Sequence, residues 1–434
     1  MERRFADRVK ELLQDAQVDP KDWMLVVDQL REFARPFAQA LTEPAQQKHL
    51  VEYTAGLLSN LKHKTGEGIA YLHGCDRKQI QQFIGEAPWD HEPLVTQLVE
   101  QVAGQLGEAD AVLALDPSAF AKKGEMSVGV ARQWSGRLGK IDNCQVAIYM
   151  AYVSSHEHAL VDYRLYLPEE WTKDRARCDA AGVPRNVTFR TRHELALEML
   201  DKHGSKLPHE WVTGDDELGR PAWFRQELRQ RNENYLLAVP SNTIIRDAQW
   251  QAPMRTGRGR PRVAPQQTVA DFRESLPESA WTSIALRDAE QGPLVIELTK
   301  RRVLTRNGSR RPDTEEVLFI TRERQSDGSF KHDYYLSNAS VQTELADFGR
   351  AANAHHRIEH CIQRGKSEAG LADYQVRNWL GWHHHQVLSL LAAWFLNGAM
   401  RRGKNTDTGT DSPSSAGADC SGDRGATASE HLAA

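Results

Sequence analysis

Three acidic residues stand where a reaction could use them. Asp116 closes the apolar run AVLALD (111–116), Asp215 closes EWVTGD (210–215), and Glu359 lies within a periodic stretch that starts near Leu345. Both runs read as strands, so each aspartate is expected at a strand end. In a mixed sheet the first and fourth strands can be neighbours. That would bring the two aspartates to one edge, with Glu359 arriving from a helix above. Three such oxygens suit Mg²⁺ or Mn²⁺, which prefer hard ligands and keep several waters. Two ions about 3.5–4 Å apart can activate a water and stabilise a leaving oxygen in phosphodiester cleavage. The bland reading of the same acids is a set of turn residues, and composition does not choose between the two.

Other motifs fail on spacing. A phosphate loop needs Gly five residues before Gly-Lys-Ser/Thr. Gly139-Lys140 has Trp134 there and Gly365-Lys366-Ser367 has His360. His193 and His209 are each followed by Glu, yet neither has a second His four residues on, so no zinc-protease helix is present. His383, His384 and His385 are adjacent. On a helix their side chains point about 100° apart and cannot converge on one metal, so they read as surface or packing histidines.

Several elements must position the acids. AVLALD, SVGVARQW (127–134) and NCQVAIYMAYVSS (143–155) read as three strands of an antiparallel meander, with glycines 124, 136 and 139 at the turns. A helix around 193–203, a strand at 210–215, a helix at 221–231 and a strand at 234–241 follow, which favours parallel pairing with crossovers. The sheet is therefore expected to be mixed. From 242 to 342 the chain changes to a Gly/Pro/Arg-rich loop and short β-like pieces. Leu345, Phe348, Ala352, His355, Glu359, Ile362 and Lys366 then step by three and four, so they share one helix face. A last helix carries WLGWHHHQVLSLLAAWFL, and from about 401 the chain is small and polar, with the composition of a disordered tail.

The first hundred residues are helical in pattern. In GIAYLHGCDRKQIQQFI (68–84), Ala70, Gly74 and Ile80 stand where a helix-turn-helix wants a small residue, a turn residue and a buried one. Arg77 and Lys78 would lie on its second helix and suit phosphates. An ordinary helical hairpin is the competing reading. The 434 residues carry Lys+Arg 55 against Asp+Glu 59, a net charge of −4, which excludes a histone-like polycation but not a basic face. Five scattered Cys without C-x-x-C argue against a disulfide framework and for a reducing compartment. No apolar run is long enough to span a membrane, and the N-terminus lacks a secretory apolar region.

The stretch LDPSAFAKKGEMSVGVARQWSGRLGKIDNCQVAIYMAYVS (115–154) resembles the first catalytic block of DDE insertion-sequence transposases, of the branch numbered 701 in the insertion-sequence scheme. WVTGDDELGRPAWFRQELRQRNENYLLAVPS (211–241) resembles the second block, with Asp215 followed four residues later by Gly219. IEHCIQRGKSEAGLADYQVRNWLGWHHHQVLSLLAAWFL (358–396) resembles the third, with Glu359 followed seven residues on by Lys366. YTAGLLSN and IAYLHG are similar to that family's N-terminal domain.

The resemblance implies an α/β fold: an RNase H-like mixed-sheet catalytic core interrupted by a β-rich insertion, behind a helical N-terminal domain. The expected division is 1–105 helical and DNA-binding, 106–241 first part of the core, 242–342 insertion, 343–400 last core helices and 401–434 tail. It implies that Asp116, Asp215 and Glu359 bind two divalent ions (Mg²⁺ or Mn²⁺) and that the substrate is double-stranded DNA, the inverted-repeat ends of an element and its target. A homodimer on DNA in the bacterial cytoplasm, associated with the nucleoid, is expected with it. Lys366, Lys122 and Lys123 are expected to touch phosphate. So are Arg258 and Arg260, within basic stretches at 255–262 and 300–311 that would line the DNA path. The chain departs from related families in having Ala352 and His355 where they often carry Tyr and Arg, and Asp116-Pro117 where an Asp-Asp pair is common. These departures keep a second reading open, a DNA-binding remnant or repressor without catalysis. Asp216 is the competitor of Asp215, and Glu344 and Glu368 are the competitors of Glu359.

Overall fold

The computed structural model describes residues 20–136, 139–251, 263–289, 292–306 and 313–407. It opens with α1 (Pro20–Ala38), α2 (Pro44–Leu58), α3 (Gly66–Leu72), α4 (Arg77–Gly85) and α5 (Glu92–Leu106). Strands β1 (Val112–Ala121), β2 (Ala131–Ser135), β3 (Lys140–Val153) and β4 (His158–Tyr166) follow, then α6 (Glu169–Lys173), α7 (Arg175–Ala180) and α8 (Arg192–His203). Next come β5 (Trp211–Gly214), α9 (Asp216–Gly219), α10 (Ala222–Gln230), β6 (Tyr235–Ala238), β7 (Ile244–Asp247), β8 (Gln267–Thr268) and α11 (Val269–Glu274). The chain continues through β9 (Thr282–Ala289), β10 (Gly292–Thr305), β11 (Thr314–Arg324), β12 (Phe330–Ser337), α12 (Leu345–Ser367) and α13 (Trp379–Asp407).

The sheet is mixed, as the alternation of patterns predicts. Its order is β2-β3-β1-β5-β6-β12-β11-β10-β7-β8, with β4 on β3 and β9 on β10. β1 is antiparallel to β3 and parallel to β5, and β5 is parallel to β6. The early strands are not the simple meander expected. β3 is central, with β1 on one edge and with β2 and the unforeseen β4 on the other. Val128 and Val130 are buried but lie outside β2. In β3 every residue from Cys144 to Val153 is buried. Such an unbroken run belongs to a strand covered on both faces, and α8 and α12 both pack on it.

The β-like pieces of 242–342 are strands of this same sheet. β12 pairs with β6, so the region prolongs the core sheet laterally instead of forming a separate body. Helix α12 is anchored by Phe348, whose ring stacks on Phe319 at 5.2 Å and meets Trp211 at 5.4 Å.

The N-terminal helices share the core with the sheet, and the described residues up to Phe395 form one compact unit. The contacts explain why the histidine run is apolar in its surroundings. His385 Nε2 lies 3.0 Å from the Gly370 carbonyl and its Nδ1 lies 2.9 Å from the Tyr53 hydroxyl, while His384 stacks on Trp89 at 3.5 Å. All three histidines are buried, so packing, not surface, is their setting. In the α3–α4 hairpin Gly74 has φ +62°, a left-handed value that glycine adopts without strain. Ala70 and Ile80 are fully buried there. Arg77 and Lys78 are exposed on α4.

A second unit begins at Leu396 and is described to residue 407, the end of α13. Helix therefore replaces the tail expected from 401 as far as Asp407. Among the described residues no helix is long and apolar enough to cross a membrane.

Candidate active site

Asp116 does not end its strand. β1 runs on to Ala121, because its antiparallel pairing with β3 continues through Asp116–Tyr149 and beyond. What ends is the other edge: the parallel ladder to β5 closes at Leu115–Gly214. Asp116 is thus the first residue past the point where β1 and β5 part. In open α/β sheets such an opening at the carboxyl ends of parallel strands is where ligands bind.

Asp215 follows β5 directly and caps α9, its carboxylate accepting from Leu218 N–H at 2.9 Å. Gly219, at the end of α9, explains the Asp-x-x-x-Gly spacing. A Cβ there would stand 1.9 Å from the Ala238 carbonyl oxygen, so only glycine lets α9 press on β6. Arg192 and His193, at the N-terminus of α8, hold the same turn. Arg192 donates twice to the Glu217 carboxylate at 2.7–2.8 Å, and His193 Nε2 lies 3.0 Å from the Glu217 carbonyl.

Glu359 sits on α12 with its side chain 57% exposed, while Phe348, Ala352 and Ile362 of the same face are buried. Asp116, Asp215, Asp216, Glu359 and Lys366 line one cleft of about 1690 Å³. The competitors of Glu359 lie elsewhere. Glu344 caps the start of α12, and Glu368 is paired with Arg364 at 2.9 Å past its end. Asp216 also lines the cleft but is exposed and pairs with Arg220 at 3.6 Å.

The charges of the site are unbalanced. Burial, then Asp215, then Glu359 push the Asp116 carboxyl well above the usual carboxylate range, and Lys366 opposes them. Burial pushes Asp215 up to about 7, against the Leu218 hydrogen bond. Carboxyls raised by burial and by neighbouring acids are the condition that a cation relieves. Glu359 behaves differently: His356 and His355, each 3.7 Å away, hold it below the usual range. Among the described residues no three His, Cys, Asp or Glu side chains are gathered as a ready metal cluster. The donor chemistry nevertheless fits a hard divalent cation: half-buried carboxylate oxygens at a sheet edge, with a third carboxylate facing the same cleft.

Lys366 reaches into the cleft, its Nζ donating to Ser118 Oγ at 2.8 Å. Lys122 does not join it. Its ammonium packs 3.3 Å from the Tyr374 ring centre, and burial lowers its pKa to about 8. Lys123 is exposed. Arg77 and Lys78 belong to α4 and do not line the cleft, and Arg258 and Arg260 lie outside the described residues. In the 300–311 stretch, Lys300 donates to the Thr343 carbonyl, Arg301 pairs with Asp247 and Arg302 with Glu315. Those three cations are engaged within the protein. Arg192 and His193 had a partial signal in the sequence, the Thr191-x-x-Glu194 capping box that starts α8 beside them.

Residues 36–293 match the family described as DDE superfamily endonuclease. The chain is 31% identical over 193 residues to a probable transposase for insertion sequence element IS701 of Microchaete diplosiphon, over 44% of this chain and 48% of the relative. The match thus spans about half the length of that relative. Among solved structures, the chain aligns with the piggyBac transposase synaptic complex with hairpin DNA at 10% identity and a TM-score of 0.37, covering 92% of this chain and 76% of that one. It aligns with the NurA nuclease of Sulfolobus solfataricus at 10% identity and a TM-score of 0.23, covering 64% and 92%.

Proposed function

Because the chain belongs to the DDE superfamily endonuclease family, we propose that it is a transposase that cuts DNA at the inverted-repeat ends of an insertion sequence and joins them to a target. The observation that carries this reading is the placement of Asp116, Asp215 and Glu359 on one cleft where β1 and β5 part. The strand order around β1, with antiparallel neighbours on one side and parallel β5 and β6 on the other, supports an RNase H-like core. In this reading the region 242–342 is an insertion that widens the sheet. The substrate is double-stranded DNA and the working form a homodimer on it.

The chain's own groups do the following. Asp116 and Asp215, on neighbouring strands, hold anionic oxygens at the cleft floor. Glu359 supplies a third from α12 once it turns from His355 and His356. Lys366 places a cation beside Ser118, within reach of a backbone phosphate. Bound at the three carboxylates, two Mg²⁺ or Mn²⁺ ions supply Lewis acidity at the attacking and leaving oxygens.

A second reading is a DNA-binding remnant. It is favoured by one observation: where related families often carry Tyr and Arg, α12 has a buried Ala352 and a half-buried His355 paired with Glu359 at 3.7 Å, so neither supplies the guanidinium those families place there. A supercoiled plasmid bearing candidate ends, incubated with Mg²⁺, separates the readings. Joined product supports transposition. Cleavage without joining leaves a nuclease, and binding without cleavage leaves the remnant.

A further inference from the structure

The turn that carries Asp215 is held by a residue far from it in sequence. Arg225, on α10, is 5% exposed and Glu316, on β11, is 3% exposed. Arg225 Nε donates to Glu316 at 2.9 Å. Its Nη1 turns the other way and donates to the carbonyls of Gly219 and Arg220, the last residues of the Asp215 turn. Glu316 is fixed in its turn by the hydroxyls of Tyr235, on β6, and Thr305, on β10. One guanidinium therefore bridges the end of α9 to a carboxylate clamped by two strands.

A pair this buried is weak evidence for stability, because desolvation offsets most of the attraction and an apolar replacement of similar volume is often as stable. Its geometry does something an apolar cluster cannot. The planar fork fixes two directions at once, so the level of α9 against the sheet is set by β10 and β11. Gly219 is pressed on β6 with no room for a Cβ, so that level has little slack. Movement of the Gly219 carbonyl is transmitted along one short turn to the Leu218 amide that the Asp215 carboxylate accepts from.

We infer that Arg225 and Glu316 are positioning residues for Asp215, through which the β-rich strands set the geometry of the cleft. The inference rests on the assignment of Asp116 and Asp215 as cation ligands. It is tested on the full-length chain with Mn²⁺ as the probe, in the absence of DNA. The variants are Arg225→Met with Glu316→Leu together, Arg225→Lys, and Glu316→Gln, which keeps the side chain's shape and one of the two oxygens to which Tyr235 and Thr305 donate. Three quantities are read: thermal midpoint, amide exchange of residues 215–220, and Mn²⁺ affinity by electron paramagnetic resonance.

The double variant is expected to keep its midpoint within a few degrees. It should exchange faster in 215–220 and bind Mn²⁺ about 10–100-fold more weakly, the usual cost of losing an outer partner of a ligand. Arg225→Lys, which keeps the charge but not the fork, should fall between it and the parent. A folded double variant with parental exchange and parental affinity overturns the inference. If the double variant does not fold, Glu316→Gln decides by the same two readouts. If the parent itself fails to bind Mn²⁺, the ligand assignment has failed, and exchange in 215–220 still shows whether Arg225 holds the turn.

Discussion

Leu115 and Gly214 are register partners, the last pair of the parallel β1–β5 ladder. One residue further, the strands separate, and the residues at that step are Asp116 and Asp215. Two carboxylates are thereby delivered to the same level of a rigid sheet edge by backbone pairing alone. Burial and repulsion then raise both, Asp215 to about 7.

The third carboxylate is tested against its neighbour on the chain. Glu359→Gln is expected to abolish Mg²⁺-dependent plasmid cleavage, because an amide offers a weaker, neutral oxygen to a hard cation. Glu368→Gln should cut nearly as well as the parent, since Glu368 pairs with Arg364. Asp116→Ala and Asp215→Ala should also lose cleavage while still retaining DNA in a mobility-shift assay. The opposite ranking of the two glutamates would mean that the ligand on α12 has been misassigned.

The buried histidines predict acid sensitivity. Burial depresses His91 and His385 to about 3 and His158 and His384 to about 4. Each is neutral in the fold, whereas in the unfolded chain it titrates near 6.5. A base with a lowered folded pKa contributes stability that is full above pH about 6.5 and is lost as pH falls toward 4. Urea midpoints measured between pH 8 and 4.5 should therefore decline below about 6.5, and His385→Gln should flatten the decline. Because raised Asp116 and Asp215 act in the opposite sense over this range, the parent's difference from His385→Gln is the readout, and an equal pH dependence of the two contradicts the burial assigned to His385.

Glycine substitutions separate close approach from simple flexibility. Gly219→Ala forces a Cβ onto the Ala238 carbonyl. It should destabilise by about 1–3 kcal/mol, as overpacking does, and should reduce cleavage by shifting the Asp215 turn. Gly104→Ala, within α5 and with nothing within 4 Å, should stabilise by about 0.5–1 kcal/mol. Chemical denaturation of the two variants checks both signs.

The lysines differ in kind. Lys122→Met should leave the salt dependence of DNA binding unchanged, because its ammonium packs on Tyr374. Arg77→Ala and Lys78→Ala, on the exposed side of α4, should each lower the log–log salt slope by about one. Fluorescence anisotropy on a labelled duplex over a salt series measures this directly. If Lys122→Met changes the slope and the α4 variants do not, the DNA path runs by β1 and not by α4.

The sequence by itself determined the types and order of the elements that bear the site. The apolar run before Asp116 and the β-favouring Trp-Val-Thr before Asp215 announce β1 and β5. The three-and-four spacing from Leu345 to Lys366 announces α12 and the face that Glu359 shares with Phe348 and Ile362. Those are local signals, carried by neighbours within a few residues. Other features depend on residues far apart in the chain, and only the tertiary structure decided them. No periodicity could show that β1 outruns Asp116, because the strand is prolonged by β3 and not by its own composition. Nor could it show that Lys122 turns to Tyr374 while Lys366 turns to Ser118, since both read as exposed cations until a partner some 250 residues away is placed beside them. The histidine run looked polar for the same reason, its burial being set by Tyr53, Trp89 and Gly370.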